Sequence, residues 1–183
     1  MSRSTLSFPT ISVVGAGAVG GYYGARLALH GHDVHFLLRG DYDAVRANGL
    51  IVRSVEGDFT IPPDRMRAYR DPREMPKSDL VLVTIKSTAN DAVRDLVAPL
   101  LHDNTAILTL QNGLGNEDLL AELFGGHRVL GGMAFVCINR VAPGVIHHTD
   151  HGLIRLGEFA GGRSERAIAI AAMFKRRGST PTS

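Results

Sequence analysis

Cysteine is almost absent from this 183-residue chain. The single one, Cys137, leaves no internal disulfide to form, which excludes a stapled secreted scaffold and points to a reducing compartment. An excess of either charge is also missing: 20 Lys and Arg stand against 18 Asp and Glu, a formal net charge of +2. So small a balance makes no electrostatic case for nucleic acid or an anionic membrane surface as partner. No stretch approaches the roughly 18 uninterrupted apolar residues of a membrane span, and Met1 to Pro9 lacks the apolar core of a secretory leader. No internal repeat is present. The class that remains is a cytoplasmic α/β domain, large enough to bury roughly 70% of its unfolded surface.

Glycine, by contrast, is concentrated where it carries information. The chain is organised around Val14-Gly15-Ala16-Gly17-Ala18-Val19-Gly20. Before it, Ile11 to Val14 is a short apolar stretch rich in β-branched residues, as a buried strand requires. After it, Ala18 to His30 is helix-forming and stops at Gly31. Gly15, Gly17 and Gly20 match G-x-G-x-x-G, whose glycines serve a tight turn, close backbone approach to a pyrophosphate, and helix–strand packing. The helix N-terminus adds free N–H groups and partial positive charge. The competing reading is a glycine-rich packing turn without a ligand.

Further along, the sequence predicts strands over 32–38, 66–69, 79–85 and 105–110, and a hairpin from 50–54 and 58–61. Short helices are expected at 41–48 and at 117–124, the latter capped by Asn116. Thr88 to Leu101 has apolar residues at helical spacing. A strand over 128–136 and hairpin-like pieces at 145–148 and 153–157 follow, then a final helix from Ser164 to Phe174. The fold class is therefore α/β: a Rossmann-type, mostly parallel sheet with helices on both faces, plus short β-hairpins. Residues 1–9 are expected to be a flexible segment, 10–177 the dinucleotide-binding domain, and 178–183 a disordered polar tail.

In such a sheet, ligands bind beyond the carboxyl ends of the strands. Four of those ends are chemically distinctive: Gly15 to Gly20, Arg39, Lys86, and Gln111-Asn112-Gly113. The end of the second strand faces the adenosine ribose, and an acidic residue there would select NAD. This chain has Arg39, nineteen positions after Gly20, and a guanidinium can take a 2′-phosphate through two hydrogen bonds, so NADP is the expected cofactor. Asp41 and Asp43 blur that reading, and a solvated surface arginine is its rival. Lys86 can reach a phosphate, a ribose or a carboxylate, or simply cap its strand. Asn112 offers a donor and an acceptor, or is merely half of an Asn-Gly turn.

These residues resemble the N-terminal domain of the ketopantoate reductase (2-dehydropantoate 2-reductase) family. The matching stretches are Gly15 to Gly21, Leu38-Arg39-Gly40, Arg46 to Leu50, Val83 to Lys86, Gln111 to Glu117 and Pro143 to Ile146, within about Ile11 to Gly157. The resemblance implies NADPH-dependent reduction of an α-keto acid to a 2-hydroxy acid, as in pantothenate synthesis. It implies that Gly15, Ala16, Gly17, Ala18, Val19 and Gly20 cradle the pyrophosphate and that Arg39 takes the 2′-phosphate. It places Lys86 and Asn112 at the nicotinamide end, Asn112 also near substrate, and makes the backbone at Cys137, at the end of its strand, a further cofactor contact. Ala89 departs from the family, which often has a polar residue such as Gln there.

Family members carry a helical second domain that holds a lysine general acid. This chain is expected to lack that domain and to supply the cofactor half, as a truncated chain, a single domain cut from a longer protein, or the product of an altered reading of the gene's end. A non-catalytic NADP-binding module and another 2-hydroxyacid or β-hydroxyacid-type dehydrogenase are the alternatives. The final helix is apolar all round and so is expected to be buried on more than one side, or to self-associate. His147, His148, Asp150 and His151 are not expected to bind a metal, because neighbours on a strand point to opposite faces. Cys137 has no base beside it and is not expected to act as a nucleophile.

Overall fold

The structure, a computed structural model, describes residues 7–175. Its frame is one nine-stranded sheet in the order β4-β3-β9-β8-β7-β6-β1-β2-β5. The strands are β1 (Thr10–Val14), β2 (Asp33–Leu37), β3 (Leu50–Ser54), β4 (Phe59–Ile61), β5 (Arg67–Tyr69), β6 (Leu80–Val83), β7 (Ala106–Thr109), β8 (Val129–Ala142) and β9 (Val145–Glu158). Six of the neighbouring pairs are parallel; only β3–β4 and β8–β9 are antiparallel. The sheet is thus mostly parallel, with hairpins at one side.

The central strands carry no polar–apolar alternation because both faces are covered. Ile11, Val13, Leu80 and Leu82 pack under α1 (Ala18–Leu29) and α5 (Glu165–Phe174), through Tyr22, Tyr23, Leu27 and Ile170. Val14, Val81, Val83 and Ile107 pack on the other face against α3 (Val93–Val97) and α4 (Asn116–Phe124), through Val93, Val97 and Leu120. Helices therefore lie on both faces. The short helix α2 (Tyr42–Asn48) follows β2 and closes on Gly49 at φ 77°.

Four expectations need correction. The single helix over 88–101 is broken: residues 87–92 and 98–100 are 3-10 turns on either side of α3. The side chain of Asn90 bonds to two other side chains rather than serving a helix face, and Pro99 lacks an N–H. Asn116 is not the cap of α4; it is the first helical residue, after a left-handed Gly115. The strand over 128–136 and the pieces at 145–148 and 153–157 are one hairpin of two 14-residue strands, interrupted by register shifts after Phe135, Cys137 and Arg140. Those bulges break the period-2 pattern that would have marked long strands. Finally, α5 buries Ala167 and Ile170, while Ile168 is 53% exposed, so burial on more than one side is not met.

The first six residues of the segment expected to be flexible lie outside the described residues, as do 176–183, the expected tail included. Within the described part, Phe8 packs against the core. Among the described residues, no helix is long and apolar enough to cross a membrane.

Candidate functional site

The chain leaves β1 through α1 to β2 on one side, whereas β6, the other neighbour of β1, is reached only later. This reversal opens a crevice at the carboxyl ends of β1 and β6. A cleft of about 430 Å³ lies there, bounded by the glycine turn (Gly15, Ala16, Gly17), Arg39, Arg70, Lys86, Ala89 and Arg140.

The glycine turn shows two different demands. Gly15 has φ +96°, and a Cβ on it would lie 2.6 Å from the Ile85 amide nitrogen. A Cβ on Gly20 would lie 2.2 Å from Thr84 Oγ1. Thr84 earns that closeness structurally, since its hydroxyl donates to the Gly15 carbonyl at 2.7 Å. Gly15 and Gly20 are thus fixed by packing between β1, α1 and the end of β6. Gly17 is not: a Cβ there would meet nothing within 4 Å. No packing contact within the protein demands a glycine at Gly17, and the open space there leaves its backbone accessible to an external group. At the same place α1 has no side-chain cap and no acidic residue in its first turn. A pyrophosphate fits that cradle in shape and charge.

At the adenosine end, Arg39 is exposed just beyond β2. The two acids that blur its reading are both engaged. Asp41 is nearly buried and accepts from Arg140, with Nε to Oδ2 at 2.6 Å and a second bond from Nη2 to Oδ1, and from the Gly144 N–H at 3.0 Å. The Arg140 guanidinium chiefly holds the Asp41 carboxyl below its usual range. Asp43 accepts from Arg70 Nη2 at 2.5 Å. Among the described residues no carboxylate pairs with Arg39.

At the opposite end, β6 and β7 lie parallel with Val83 opposite Thr109, and the loops that leave their ends carry Lys86 and Asn112. Both are exposed. A run of side-chain amides joins their loops. Gln111 Nε2 donates to Asn90 Oδ1 at 2.8 Å, Asn90 Nδ2 donates to Asn116 Oδ1 at 3.0 Å, and Asn116 Nδ2 donates to the Asn112 carbonyl at 3.2 Å.

The structure thus brings Gly15, Ala16, Gly17, Arg39 and Lys86 to one cleft, with Ala18, Val19 and Gly20 continuing into α1. Asn112 and Cys137 do not line it. Cys137 is not at a strand end, since β8 continues to Ala142; it is exposed, and its carbonyl accepts from the Thr149 hydroxyl at 3.2 Å. Arg70, Arg140, Thr84 and Asn90 were not singled out in the sequence. Arg70 and Arg140 come from an edge strand and a distant hairpin, so no local motif marks them. Thr84 and Asn90 flank Lys86 within the same strand-end loop, and that proximity is their only signal. His147 is exposed and His148 fully buried, as neighbours on a strand must be; His148 spends both ring nitrogens on internal bonds.

A family model described as ketopantoate reductase PanE/ApbA matches residues 11–161. A 2-dehydropantoate 2-reductase of Nostoc sp. is 46% identical over 86% of this chain and 49% of its own length. The crystal structure of 2-dehydropantoate 2-reductase from Geobacter metallireducens has a TM-score of 0.87 at 53% identity, over 90% of this chain and 54% of the other. That from Methylococcus capsulatus has a TM-score of 0.81 at 37% identity, over 90% and 53%. The chain spans about half the length of the curated relatives it matches.

Proposed function

The chain belongs to the ketopantoate reductase PanE/ApbA family, and from that membership we propose that residues 10–177 bind NADP(H) and supply the cofactor half of an NADPH-dependent reduction of 2-dehydropantoate to pantoate. The observation that carries the reading is the pairing, along one cleft, of an open glycine turn at a bare helix N-terminus with an arginine that no carboxylate among the described residues claims. Gly15, Ala16, Gly17, Ala18, Val19 and Gly20 would hold the pyrophosphate, and Arg39 the 2′-phosphate. Lys86, Asn112 and the backbone at Cys137 would meet the nicotinamide end and the substrate.

When bound, the cofactor supplies a hydride to the ketone carbon of an α-keto acid. The work left to this chain is orientation and charge. Lys86 would offer an ammonium from the end of β6, where a substrate carboxylate or a ribose hydroxyl can be met. The side-chain amide of Asn112 can donate to a ketone oxygen while its backbone carbonyl accepts from Asn116 Nδ2. The ketone oxygen must also gain a proton. In the family resemblance that task falls to a lysine of the helical second domain, and no residue of this cleft is assigned it.

The test has two stages. The purified chain is titrated with NADPH and with NADH by cofactor fluorescence, and preference for NADPH is expected. NADPH oxidation is then followed with 2-dehydropantoate and with a panel of other 2-oxo acids at high protein concentration. Turnover with 2-dehydropantoate supports the reductase; turnover only with another 2-oxo acid supports a related dehydrogenase. Binding without oxidation favours a non-catalytic module. Failure to bind NADPH would sink the reading altogether.

A further inference from the structure

We propose that Arg70 is a second determinant of cofactor choice, closing with Arg39 on the 2′-phosphate of NADP(H). The inference rests on the reading of the cleft given above and names a residue for its adenosine end.

The sheet brings the two arginines to the walls of one cleft. β2 and β5 are parallel, with Leu37 opposite Tyr69, and the Leu38 N–H donates to the Tyr69 carbonyl at 2.8 Å. By that register Arg70 follows opposite Leu38, one position before Arg39. Both border the same cleft. Arg70 is also held in place: its guanidinium lies 4.6 Å from the centroid of the Tyr42 ring and donates to Asp43. A stacked guanidinium with only some of its five donors committed is pre-organised for a further anion.

The existing ion pair does not forbid this. The Arg70 and Asp43 side chains are 57% and 82% exposed, and a pair so exposed contributes about 0–1 kcal/mol. A phosphate monoester brings a charge of about −1.5 to −2 at pH 7 and several strong acceptors. It can share Arg70 with Asp43 or displace it. Asp41, the other nearby acid, is already neutralised by Arg140. Counting these five groups, three arginines stand against two aspartates, which leaves one positive charge in surplus on this side of the cleft. Ala89, which also lines the cleft, offers no polar side chain there, whereas Arg70 on the β5 side does.

The experiment measures Kd for NADPH and for NADH on the whole chain at low salt, for the unaltered protein and for Arg39→Ala, Arg70→Ala and Arg46→Ala. Arg46, exposed on α2 and absent from the cleft, controls for the loss of one positive charge. Arg70→Ala is expected to raise the NADPH Kd about tenfold, with NADH changed less than about twofold, as the loss of one charge-assisted hydrogen bond implies. Arg46→Ala should move neither. An equal loss for both cofactors would mean an adenine contact or a distorted cleft and would overturn the proposal. So would no loss for NADPH, or a loss that Arg46→Ala reproduces. If Arg39→Ala abolishes the NADPH preference and Arg70→Ala does not, only this inference fails. If Arg39→Ala leaves the preference unchanged, or the unaltered chain binds neither cofactor, the reading of the cleft fails with it.

Discussion

Asp41 and Arg140 lie 99 positions apart in sequence and meet through paired hydrogen bonds. Their contact ties the turn after β2 to the tip of the β8–β9 hairpin, where the Gly144 N–H also donates to Asp41. One carboxylate therefore anchors two loops that border the same cleft.

Removing that anchor should be measurable. Asp41→Asn is expected to cost about 1–2 kcal/mol, at the low end for a charged hydrogen bond because the Arg140 side chain is 42% exposed and regains water. The Asp41 carboxyl is depressed from 3.8 in the folded state, so its contribution is complete above that value and is lost as pH falls through the folded pKa. Urea melts should show a constant gap between unaltered protein and Asp41→Asn above about pH 5, narrowing below pH 4. A gap that widened in acid would contradict the assignment.

Gly17 and Gly20 should respond oppositely. At Gly20 a Cβ collides with Thr84 Oγ1, so Gly20→Ala is expected to lose roughly 1–3 kcal/mol of stability. At Gly17 the same atom meets nothing, so Gly17→Ala should melt within about 1 kcal/mol of the unaltered chain while binding NADPH more weakly. Thermal melts with and without NADPH separate the two effects.

Ala89 lines the cleft but offers no hydrogen bond. Ala89→Gln restores the polar side chain frequent at this position in the family resemblance. A neutral hydrogen bond to the cofactor is worth about 0.5–1.5 kcal/mol, so the NADPH Kd should fall roughly threefold to tenfold. Fluorescence titration reads this directly; an unchanged Kd would place position 89 out of reach of the bound cofactor.

His148 is fully buried between α1 and β3. Its Nε2 faces the carbonyls of Asp150 and His151, so it carries the proton, and the single lone pair of Nδ1 faces the hydroxyls of Ser54 at 2.8 Å and Tyr22 at 3.2 Å. His148→Phe keeps the ring and strands those partners, and should destabilise by roughly 2–3 kcal/mol in urea melts. His147→Ala, on the exposed side of the same strand, should stay within about 0.5 kcal/mol.

Local pattern made much of this legible. Ile11 to Val14 and Leu80 to Val83 read as strands because burial on both faces makes them uniformly apolar. The glycine turn and Arg39 are legible because their chemistry is contained in short stretches. What stayed hidden depends on distant partners. Asn90 looks like an ordinary helix position until Gln111 and Asn116 claim its amide. The β9 strand looks like two pieces because His151, at φ 63°, and Gly152, at φ 135°, interrupt its alternation. Arg70 and Arg140 read as surface cations until sheet order and a hairpin bring them beside Arg39.

The sheet order also dictates a schedule for folding. β1, β2, β5, β6 and β7 can pair with one another as soon as residue 109 has been made. The β3–β4 hairpin, synthesised early, has no other neighbour in the sheet until β9 arrives, when Ile51 pairs with Val145. A lone two-stranded hairpin is marginal in water. On a growing chain it must wait, with Leu50, Val52 and Ile61 still to be buried, for a strand nearly a hundred residues downstream. Any chain ending short of β9 would leave that hairpin unpaired and one sheet edge open, that of β7 before β8 is made and that of β8 afterwards, the kind of nascent product a chaperone would hold.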